Sequence, residues 1–277
     1  MSSLHPFVKW AGGKTQLLDK IHELMPAQYN RYYEPFVGGG ALLFSLVPKD
    51  FIINDFNSEL ISAYKCFMDT ASFDKLIGLL GQHEANHSEE YYYKVRAMDR
   101  EPNFRQRPIW EHAARMIYLN KACFNGLYRV NSHGFFNVPF GKKEKVHCFE
   151  NNNLRRVKDF FASAHAVILN GDFQEAVKDV GLGDFVYFDP PYDVWKEKLS
   201  FTSYVQGAFG KPEQRRLADV YKNLSDKGAY VRLSNHNTDY IRELYHDFSI
   251  HVVPARRVIN SNPAGRGQVE EVIITNY

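Results

Sequence analysis

The sequence predicts an α/β fold in which a mainly parallel sheet is interrupted by a largely helical insert. Short apolar runs rich in β-branched and aromatic residues recur along the chain, and such runs are typical of buried strands. Helix-prone segments and glycine turns separate them, and 277 residues suffice for one sizeable α/β domain with a smaller inserted one. The predicted strands cover residues 32–37, 51–54, 166–169, 184–188, 230–233, 249–253 and 269–275.

The first element is a loop with the sequence FVKWAGGK at residues 7–14, which precedes an amphipathic stretch that begins near Thr15. A loop with two glycines and two lysines that leads into a helix can bind a ligand carboxylate through backbone N–H groups and an ammonium group. An ordinary helix-entry loop with solvated lysines is the alternative. The candidate binding residues are Trp10, Ala11, Gly12, Gly13 and Lys14.

The second element is a strand that leads into three glycines and the helix-prone residues 41–44. A strand, a glycine turn and a helix form the nucleotide-binding arrangement of a Rossmann-like fold. The next strand ends at Asp55, at the spacing expected of a carboxylate that binds ribose hydroxyls. Because the glycines do not form G-x-G-x-x-G, a nucleoside cofactor without phosphates fits better, and S-adenosylmethionine is the obvious one. The candidate binding residues are Glu34, Pro35, Phe36, Gly38, Gly40 and Asp55.

The insert is the basic part of the chain. Residues 91–160 contain 14 Lys and Arg against 6 Asp and Glu, although the net charge of the whole chain is only +2. Because basic side chains neutralise phosphates and aromatic ones stack on bases, this segment is predicted to bind nucleic acid. For any single residue, a solvated helical face is the alternative. The basic residues include Arg105, Arg107, Arg115, Lys121, Arg129, Lys142, Lys143 and Lys145.

Within the insert, residues 58–80 and 113–119 predict helices, and residues 128–138 predict a β-hairpin with a glycine-containing turn. A hairpin can enter the major groove of DNA, and Arg129 near its start could donate two hydrogen bonds to one guanine. We therefore predict a discontinuous catalytic and cofactor-binding domain, residues 1–56 and 164–277, and an inserted target-recognition domain, residues 57–163.

The last element is a strand at residues 184–188 that runs directly into Asp189-Pro190-Pro191-Tyr192. Two prolines end the strand, because neither can donate to a sheet and both fix φ. The rigid turn offers a carboxylate, proline carbonyls and a ring where open α/β sheets bind ligands. This set suits a planar heterocycle with an exocyclic amino group, whose two N–H bonds would go to Asp189 and the Pro190 carbonyl. These four residues are the catalytic candidates, and an ordinary strand-ending turn is the alternative.

These motifs, in this order, resemble the Dam-type DNA adenine-N6 methyltransferases, especially the Dam-like enzymes of restriction–modification systems that modify GATC. The resemblance covers essentially the whole chain. It implies a Rossmann-like S-adenosylmethionine-dependent methyltransferase sheet with an inserted DNA-recognition domain, and direct methyl transfer to a flipped-out adenine in double-stranded DNA. Further segments that carry it are residues 120–129, 137–141, 201–204, 233–236 and 256–257.

The resemblance also implies roles for single residues. Phe124 stands where a relative has a tyrosine that wedges into the duplex, and residues 194–197 depart from the small, polar stretch of the family. The residues implied to touch S-adenosylmethionine are Trp10, Lys14, Asp55 and Asp189, with Asp172 and Phe173 near its adenine. The residues implied to contact DNA are Lys9 and Arg129 at guanines and Leu127 and Pro139 at thymines or inner base pairs, with Asn125, Asn137, Lys142 and Lys143 as further candidates.

Composition limits the remaining function classes. The eleven histidines show no metal-ligand spacing, and three scattered cysteines suggest neither a disulfide framework nor a zinc site, so a reducing cytoplasm is expected. No stretch predicts a membrane span or a signal peptide. Three alternatives stay open: methyl transfer to cytosine N4 or to RNA, a catalytically silent DNA-binding regulator, and a nicotinamide-dependent oxidoreductase. The oxidoreductase would need a G-x-G-x-x-G pyrophosphate-binding motif, which the sequence lacks. Functional pairing with a restriction endonuclease is compatible with the resemblance, and the oligomeric state is not predicted.

Overall fold

The computed structural model describes residues 4–10, 12, 17–149, 151–194, 209–256 and 268–277. Within them, seven strands form one sheet: β1 (Tyr32–Glu34), β2 (Asp50–Asp55), β3 (His165–Asn170), β4 (Phe185–Phe188), β5 (Tyr230–His236), β6 (Ser249–Arg256) and β7 (Gln268–Thr275). Their order is β3-β2-β1-β4-β5-β7-β6. This is the doubly wound order 3-2-1-4-5-6 with β7 inserted before the last strand. The predicted α/β, Rossmann-like class is confirmed.

The central strands are parallel and the edge is antiparallel. β1 pairs in parallel with β2 and β4, and β4 pairs in parallel with β5. β7 runs antiparallel to both β5 and β6. All four residues of β4 are buried, which explains its uninterrupted apolar sequence, because a central parallel strand is covered on both faces.

Helices flank the strands and fill the insert. The described helices are α1 (Leu18–Glu23), α2 (Ala41–Leu46), α3 (Ser58–Met68), α4 (Thr70–Ala85), α5 (Glu89–Ala97), α6 (Ile109–Ala122), α7 (Asn151–Ser163), α8 (Phe173–Ala176), α9 (Lys211–Asp226) and α10 (Asp239–Leu244). The single helix predicted over 58–80 is wrong in one respect, because it is divided into α3 and α4. Asp69 between them has extended backbone and accepts a hydrogen bond from the Ser72 N–H at 2.8 Å, which starts a new helix.

The chain packs as two compact units, each with its own core. The first unit comprises Met1–Gly13, Val37–Lys49 and Asn54–Gly171, and the second comprises Lys14–Phe36, Asp50–Ile53 and Asp172–Tyr277. The first core is built mainly on α3, α4 and α6, and the second on β4, β5 and α9. No helix in the described part of the chain is long and apolar enough to cross a membrane.

The predicted hairpin lies in the first unit, and its arms pair through isolated antiparallel bridges. Val130 bridges Phe136, and the Asn137 N–H donates to the Arg129 carbonyl at 3.0 Å. The turn between the arms needs Gly134, whose φ is +80°. In the following sections the hairpin denotes residues 124–139.

Candidate active site

The glycine loop after β1 is closely packed in the first unit. Gly38 has a φ of +48°, and a Cβ added there would lie 2.7 Å from Cδ1 of the Trp10 indole. Gly40 has a φ of +72°, and its added Cβ would lie 2.7 Å from the Tyr64 hydroxyl. Both the backbone conformation and the space therefore require glycine, and Trp10 lies directly against the loop.

Asp55, at the end of β2, ties the glycine loop to the start of α3. One carboxylate oxygen accepts the Gly38 N–H at 3.0 Å, and the other accepts the Asn57 N–H at 2.9 Å. Burial raises the pKa of Asp55, and these backbone donors oppose the rise. The Phe56 N–H is a third backbone donor to this carboxylate. Because a carboxylate has about four acceptor positions, Asp55 retains capacity for a ribose hydroxyl. Phe56 beside it is 85% exposed and offers a ring that the sequence analysis missed.

A cluster of aromatic rings lies in the second unit at the start of α8. The Phe36 ring lies 5.3 Å from Phe173 and 5.5 Å from Phe209. Asp172 caps α8 and makes two hydrogen bonds to Arg216, at 2.8 and 2.6 Å, while the Arg216 guanidinium lies 4.2 Å from the Phe173 ring centre. The Arg216 hydrogen bonds lower the pKa of Asp172. Flat apolar faces edged by polar groups suit a nucleoside base. The sequence patterns predicted Phe36, Asp172 and Phe173 for this site but not Phe209 or Arg216.

Of the other cofactor candidates, three lie within the described residues and three lie outside them. Glu34 is 3% exposed and accepts a hydrogen bond from the Tyr32 hydroxyl at 2.8 Å, and Pro35 is also buried. Gly12 has a φ of +79°, as its loop requires. Ala11, Gly13 and Lys14 lie outside the described residues, as do residues 201–204 and Arg257.

The turn Asp189–Asp193, hereafter the catalytic turn, follows β4 and is held by two buried amide side chains. Gln214 of α9 donates to the Pro191 carbonyl at 2.8 Å and accepts from Asn235 of β5 at 3.1 Å. The side-chain oxygen of Asn235, Oδ1, accepts the Asp193 N–H at 2.9 Å. Gln214 is 1% exposed and Asn235 is fully buried, so the bonds are sheltered from water. The backbone after the two prolines is therefore fixed from two directions.

Tyr192 is held at both its ring and its hydroxyl. The ring forms a T-shaped pair with the His236 ring, with centres 4.9 Å apart, and the hydroxyl donates to Glu271 Oε2 at 3.2 Å. His236 is itself bound through Nδ1 to the Asp193 carbonyl. Burial, followed by nearby carboxylates, raises the pKa of Tyr192 well above its usual value, so the hydroxyl stays protonated. Asp189 is half-buried and Pro190 is buried.

Asn120 joins the amino-terminal motif to the hairpin. Its amide donates to the Lys9 carbonyl at 2.7 Å and to the Gly126 carbonyl at 3.0 Å, and it accepts the Lys9 N–H at 2.9 Å. A Cβ on Gly126 would lie 2.8 Å from the Lys9 side chain, so Lys9 packs against the start of the hairpin. Tyr128 stacks on Trp10 at 5.3 Å. The candidate Lys9 is thereby held against Gly126, the residue before the candidate Leu127.

Most of the DNA-contact candidates are exposed. Arg129 donates from Nε to Asn137 at 2.8 Å, which leaves its terminal Nη groups as the fork that suits guanine. Phe124 is 52% exposed, and its N–H donates to the Pro139 carbonyl at 3.0 Å. The further exposed candidates are Lys9, Asn125, Lys142 and Lys143, while Leu127 and Asn137 are half-buried.

Arg115 corrects the interpretation of the basic insert. It is fully buried and pairs with Glu59 at 2.7 Å and with Asp99 at 2.8 Å, so it cannot contact phosphate. Asp99 in turn accepts the Phe136 N–H of the hairpin at 2.7 Å. Arg96 and Arg100 donate to hairpin carbonyls. Part of the positive charge therefore braces the hairpin from inside.

The described residues hold no group of three or more His, Cys, Asp or Glu that could bind a metal ion. The three cysteines are buried. Burial raises the pKa of Cys66 to about 12 and that of Cys123 to about 11, so both remain protonated thiols.

Known proteins match the chain over nearly its whole length. A family model described as D12 class N6 adenine-specific DNA methyltransferase matches residues 10–259. Type II methyltransferase M1.LlaDCHI of Lactococcus lactis subsp. cremoris is 44% identical over 275 residues, which cover 99% of this chain and 96% of that protein. Type II methyltransferase M.MjaIII of Methanocaldococcus jannaschii is 40% identical, with 98% and 99% covered.

A DNA adenine methylase of Escherichia coli (strain K12) is 34% identical over 274 residues, which cover 99% of this chain and 95% of that protein. The resemblance that the motifs predicted is thus confirmed along the chain. The protein belongs to the D12 class of N6 adenine-specific DNA methyltransferases.

Proposed function

We propose that this enzyme methylates N6 of adenine within GATC sites of double-stranded DNA, and that the target adenine leaves the duplex to react. The family supplies the reaction class, adenine-specific DNA methylation with S-adenosylmethionine as methyl donor. The observation that carries the site assignment is the buried amide network around the catalytic turn. A turn fixed in this way can hold Asp189 and Tyr192 ready for a base.

The catalytic turn has to improve a poor nucleophile. The N6 lone pair of adenine is delocalised into the ring, and acceptors on both amino hydrogens localise it on nitrogen. We assign these acceptors as the Asp189 carboxylate and the Pro190 carbonyl, so positioning and electrostatics contribute most of the acceleration. Asp189 need not remove a proton before attack, since the methylated nitrogen is strongly acidic afterwards. S-adenosylmethionine, when bound, supplies the activated methyl group on a sulfonium.

Base extrusion follows from the geometry of duplex DNA. The N6 atom cannot reach a bound sulfonium while the adenine is stacked, and extrusion costs a few kcal/mol. In our proposal the Tyr192 ring stacks on the extruded adenine and offsets part of that cost. Phe124, exposed on the hairpin, fills the gap in the duplex, although it lacks the hydroxyl of the tyrosine found in a relative.

The cofactor contacts are assigned by chemical type. Asp55 accepts a hydrogen bond from a ribose hydroxyl, with Phe56 beside it, and Gly38 lets the backbone approach. Asp172 and Phe173 lie near the adenine of the cofactor. The further proposed cofactor residues are Trp10, Ala11, Gly12, Gly13, Lys14, Glu34, Pro35, Phe36, Gly40 and Asp189.

The DNA contacts are assigned to the first unit. Lys9 and Arg129 contact guanines, and Leu127 and Pro139 contact thymines or the inner base pairs. The remaining proposed contacts are Asn125, Asn137, Lys142 and Lys143. By function we divide the chain into a catalytic domain, residues 1–56 and 164–277, and a target-recognition domain, residues 57–163. Support comes from the hairpin, which exposes Arg129 and Phe124 within the second range.

We also propose that the enzyme protects DNA against a restriction endonuclease that cuts the same site. Two relatives, at 44% and 40% identity, carry the name Type II methyltransferase, which fits this pairing. The endonuclease would share only the recognition sequence with the enzyme, so no physical complex is required.

The test is methylation of unmethylated plasmid DNA, followed by digestion with nucleases that differ in sensitivity to N6-methyladenine at GATC. We expect protection from the nuclease that methylation blocks and cleavage by the nuclease that requires methylation. Methylation elsewhere would reject GATC but keep the reaction class. Specific DNA binding without methyl transfer would favour the silent regulator, and methylated cytosine would overturn the adenine assignment.

A further inference from the structure

The Tyr192 hydroxyl has a charged partner on the antiparallel edge of the sheet. It donates to Glu271 Oε2 at 3.2 Å, while the rings of Tyr192 and His236 form a T-shaped pair with centres 4.9 Å apart. Glu271 in β7 and His236 in β5 are direct cross-strand neighbours. Two paired positions of the sheet therefore contact the Tyr192 side chain, one at its hydroxyl and one at its ring.

The neighbouring residue Glu270 provides a natural comparison. Its carboxylate accepts a hydrogen bond from the Asn237 amide at 2.6 Å. Successive side chains of a strand point to opposite faces of the sheet, so Glu270 and Glu271 cannot share a partner. Of two adjacent carboxylates of the same type, Glu271 is the one that reaches the catalytic turn.

We propose that Glu271 is a positioning residue for methyl transfer that acts through the Tyr192 hydroxyl. This inference rests on the proposed stacking of Tyr192 against the target adenine. With the hydroxyl bound to Glu271 and the ring packed against His236, the Tyr192 ring cannot tilt freely, so it is already oriented before the base arrives.

The charge of Glu271 adds an electronic effect. A hydrogen bond to a carboxylate is stronger than one to a neutral acceptor, and it draws electron density toward the phenol oxygen and ring. The face of an aromatic ring attracts positive charge. Adenine gains positive charge as the methyl group arrives at N6, so a more electron-rich ring against it lowers the barrier more than it strengthens initial binding.

The test is a double-variant cycle read by single-turnover methylation of a GATC duplex. Glu271→Gln and Tyr192→Phe should each lower the rate roughly tenfold, because each removes the same charge-assisted hydrogen bond. The double variant should be no slower than Tyr192→Phe alone. The KM for DNA should stay within about twofold, and Tyr192→Ala, which removes the ring, should be slower than all three.

The matched control is Glu270→Gln, which changes the adjacent carboxylate of β7 and should leave the rate unchanged. A second readout needs no turnover. A duplex with 2-aminopurine at the target position is bound in the presence of S-adenosylhomocysteine, and its fluorescence lifetime is recorded. Stacking on Tyr192 quenches the extruded base, so Glu271→Gln and Tyr192→Phe should both lengthen the lifetime, and Glu270→Gln should not.

Several results would overturn the inference. A Glu271→Gln enzyme with the wild-type rate and lifetime would show that Glu271 does not act on Tyr192. If the rate losses of the two single variants add up in the double variant, Glu271 acts through a group other than Tyr192. If Glu270→Gln loses as much rate as Glu271→Gln, the effect is a general effect of charge. If the wild-type enzyme itself neither methylates GATC nor alters 2-aminopurine emission, the proposed function fails as well. If the wild-type enzyme methylates GATC and extrudes the base, and Glu271→Gln behaves in the same way, only the inference about Glu271 is rejected and the proposed function stands.

Discussion

The catalytic turn and the hairpin carry the two halves of the proposed activity, and they are held by different chemistry. Neutral amides, Gln214 and Asn235, fix the catalytic turn from buried positions. The hairpin has only isolated bridges between its arms, and ionic groups brace it from behind through Asp99 and Arg115. The backbone of the catalytic turn is fixed by uncharged hydrogen bonds, whereas the backbone of the hairpin is fixed by a charge network.

The difference has a physical reason. Near a reacting centre, each added charge shifts the energy of the charged transition state, whereas neutral amides can fix a backbone without adding a net charge there. A hairpin that meets phosphates needs arginines on its exposed side. Other arginines of the insert instead hold the hairpin backbone: Arg96 and Arg100 donate to its carbonyls, and Arg115 acts through Asp99. Net charge in the sequence therefore overstates the positive surface of the insert.

The largest effect is expected for Asp189→Ala. The proposed acceptor of one N6 hydrogen is lost, so the amine is no longer aligned, and methyl transfer should be abolished while the protein stays folded. Single-turnover methylation and thermal unfolding measure the two properties together. A variant with normal unfolding and near-normal turnover would remove Asp189 from the catalytic site.

Arg115→Met tests the ionic side of the comparison. The change leaves Glu59 and Asp99 without their buried partner, which should cost about 3–5 kcal/mol of unfolding free energy. Arg107→Met is the matched control, because Arg107 pairs with the more exposed Glu101 and Glu111 and should cost about 0–1 kcal/mol. Urea unfolding measures both, and equal costs would contradict the bracing role.

Gln214→Met tests the amide side. Methionine keeps the shape but breaks the hydrogen bonds to Pro191 and Asn235, and a displaced turn should lower kcat by about 10²-fold with little change in DNA affinity. Tyr221→Phe removes a buried hydrogen bond to the Val231 carbonyl in the same unit and should spare kcat. A normal kcat in Gln214→Met would show that the turn is rigid without the amide network.

The sequence predicted those parts of the fold that depend on local chemistry. The apolar run of β4 and the prolines after it, and the glycines after β1, each have a cause within a few residues. The break between α3 and α4 escaped prediction, because the apolar pattern continues through it and only the capping hydrogen bond of Asp69 reveals it.

The candidate site was predictable only where motifs carry it. Gln214, Asn235 and Glu271 lie between 23 and 79 residues from the turn positions that they bind, and each is an ordinary polar residue in its own element. Whether an arginine faces solvent or an internal carboxylate is equally invisible in the sequence, as Arg115 shows. Such partners follow from the tertiary fold and from no local pattern.

Two exposed basic residues of the first unit sharpen the hairpin assignment. Arg129→Ala should lose discrimination at one base pair by about 1–3 kcal/mol, because a bidentate guanine contact is lost. Lys142→Ala should weaken binding to all duplexes alike and flatten the salt dependence, as expected for a phosphate contact. Titration of GATC and singly substituted duplexes at several salt concentrations measures both. Equal losses on every duplex for Arg129→Ala would reject its sequence-specific role.

The smallest expected effect concerns a buried histidine of the first unit. His83 in α4 is 8% exposed, bonds to the Tyr91 hydroxyl at 2.8 Å and stacks on Tyr118. Burial lowers the pKa of His83 to about 4. Below about pH 6.5 the imidazole of His83 binds a proton in the unfolded chain but not in the folded one. The stability that neutral His83 contributes is therefore fully present above about pH 6.5 and is lost as the pH falls below it.

The loss should reach at most about 1.4 kcal/mol per pH unit between pH 6.5 and 4, since one proton is involved. Urea unfolding at pH 7.0 and 5.5 should therefore show a smaller decrease for His83→Phe, which keeps a ring against Tyr118, than for the wild-type protein. His246→Phe is the control, because the His246 side chain is 72% exposed and its replacement should leave the decrease unchanged. If wild-type and His83→Phe proteins lose stability equally, the acid sensitivity of the first unit arises from other groups.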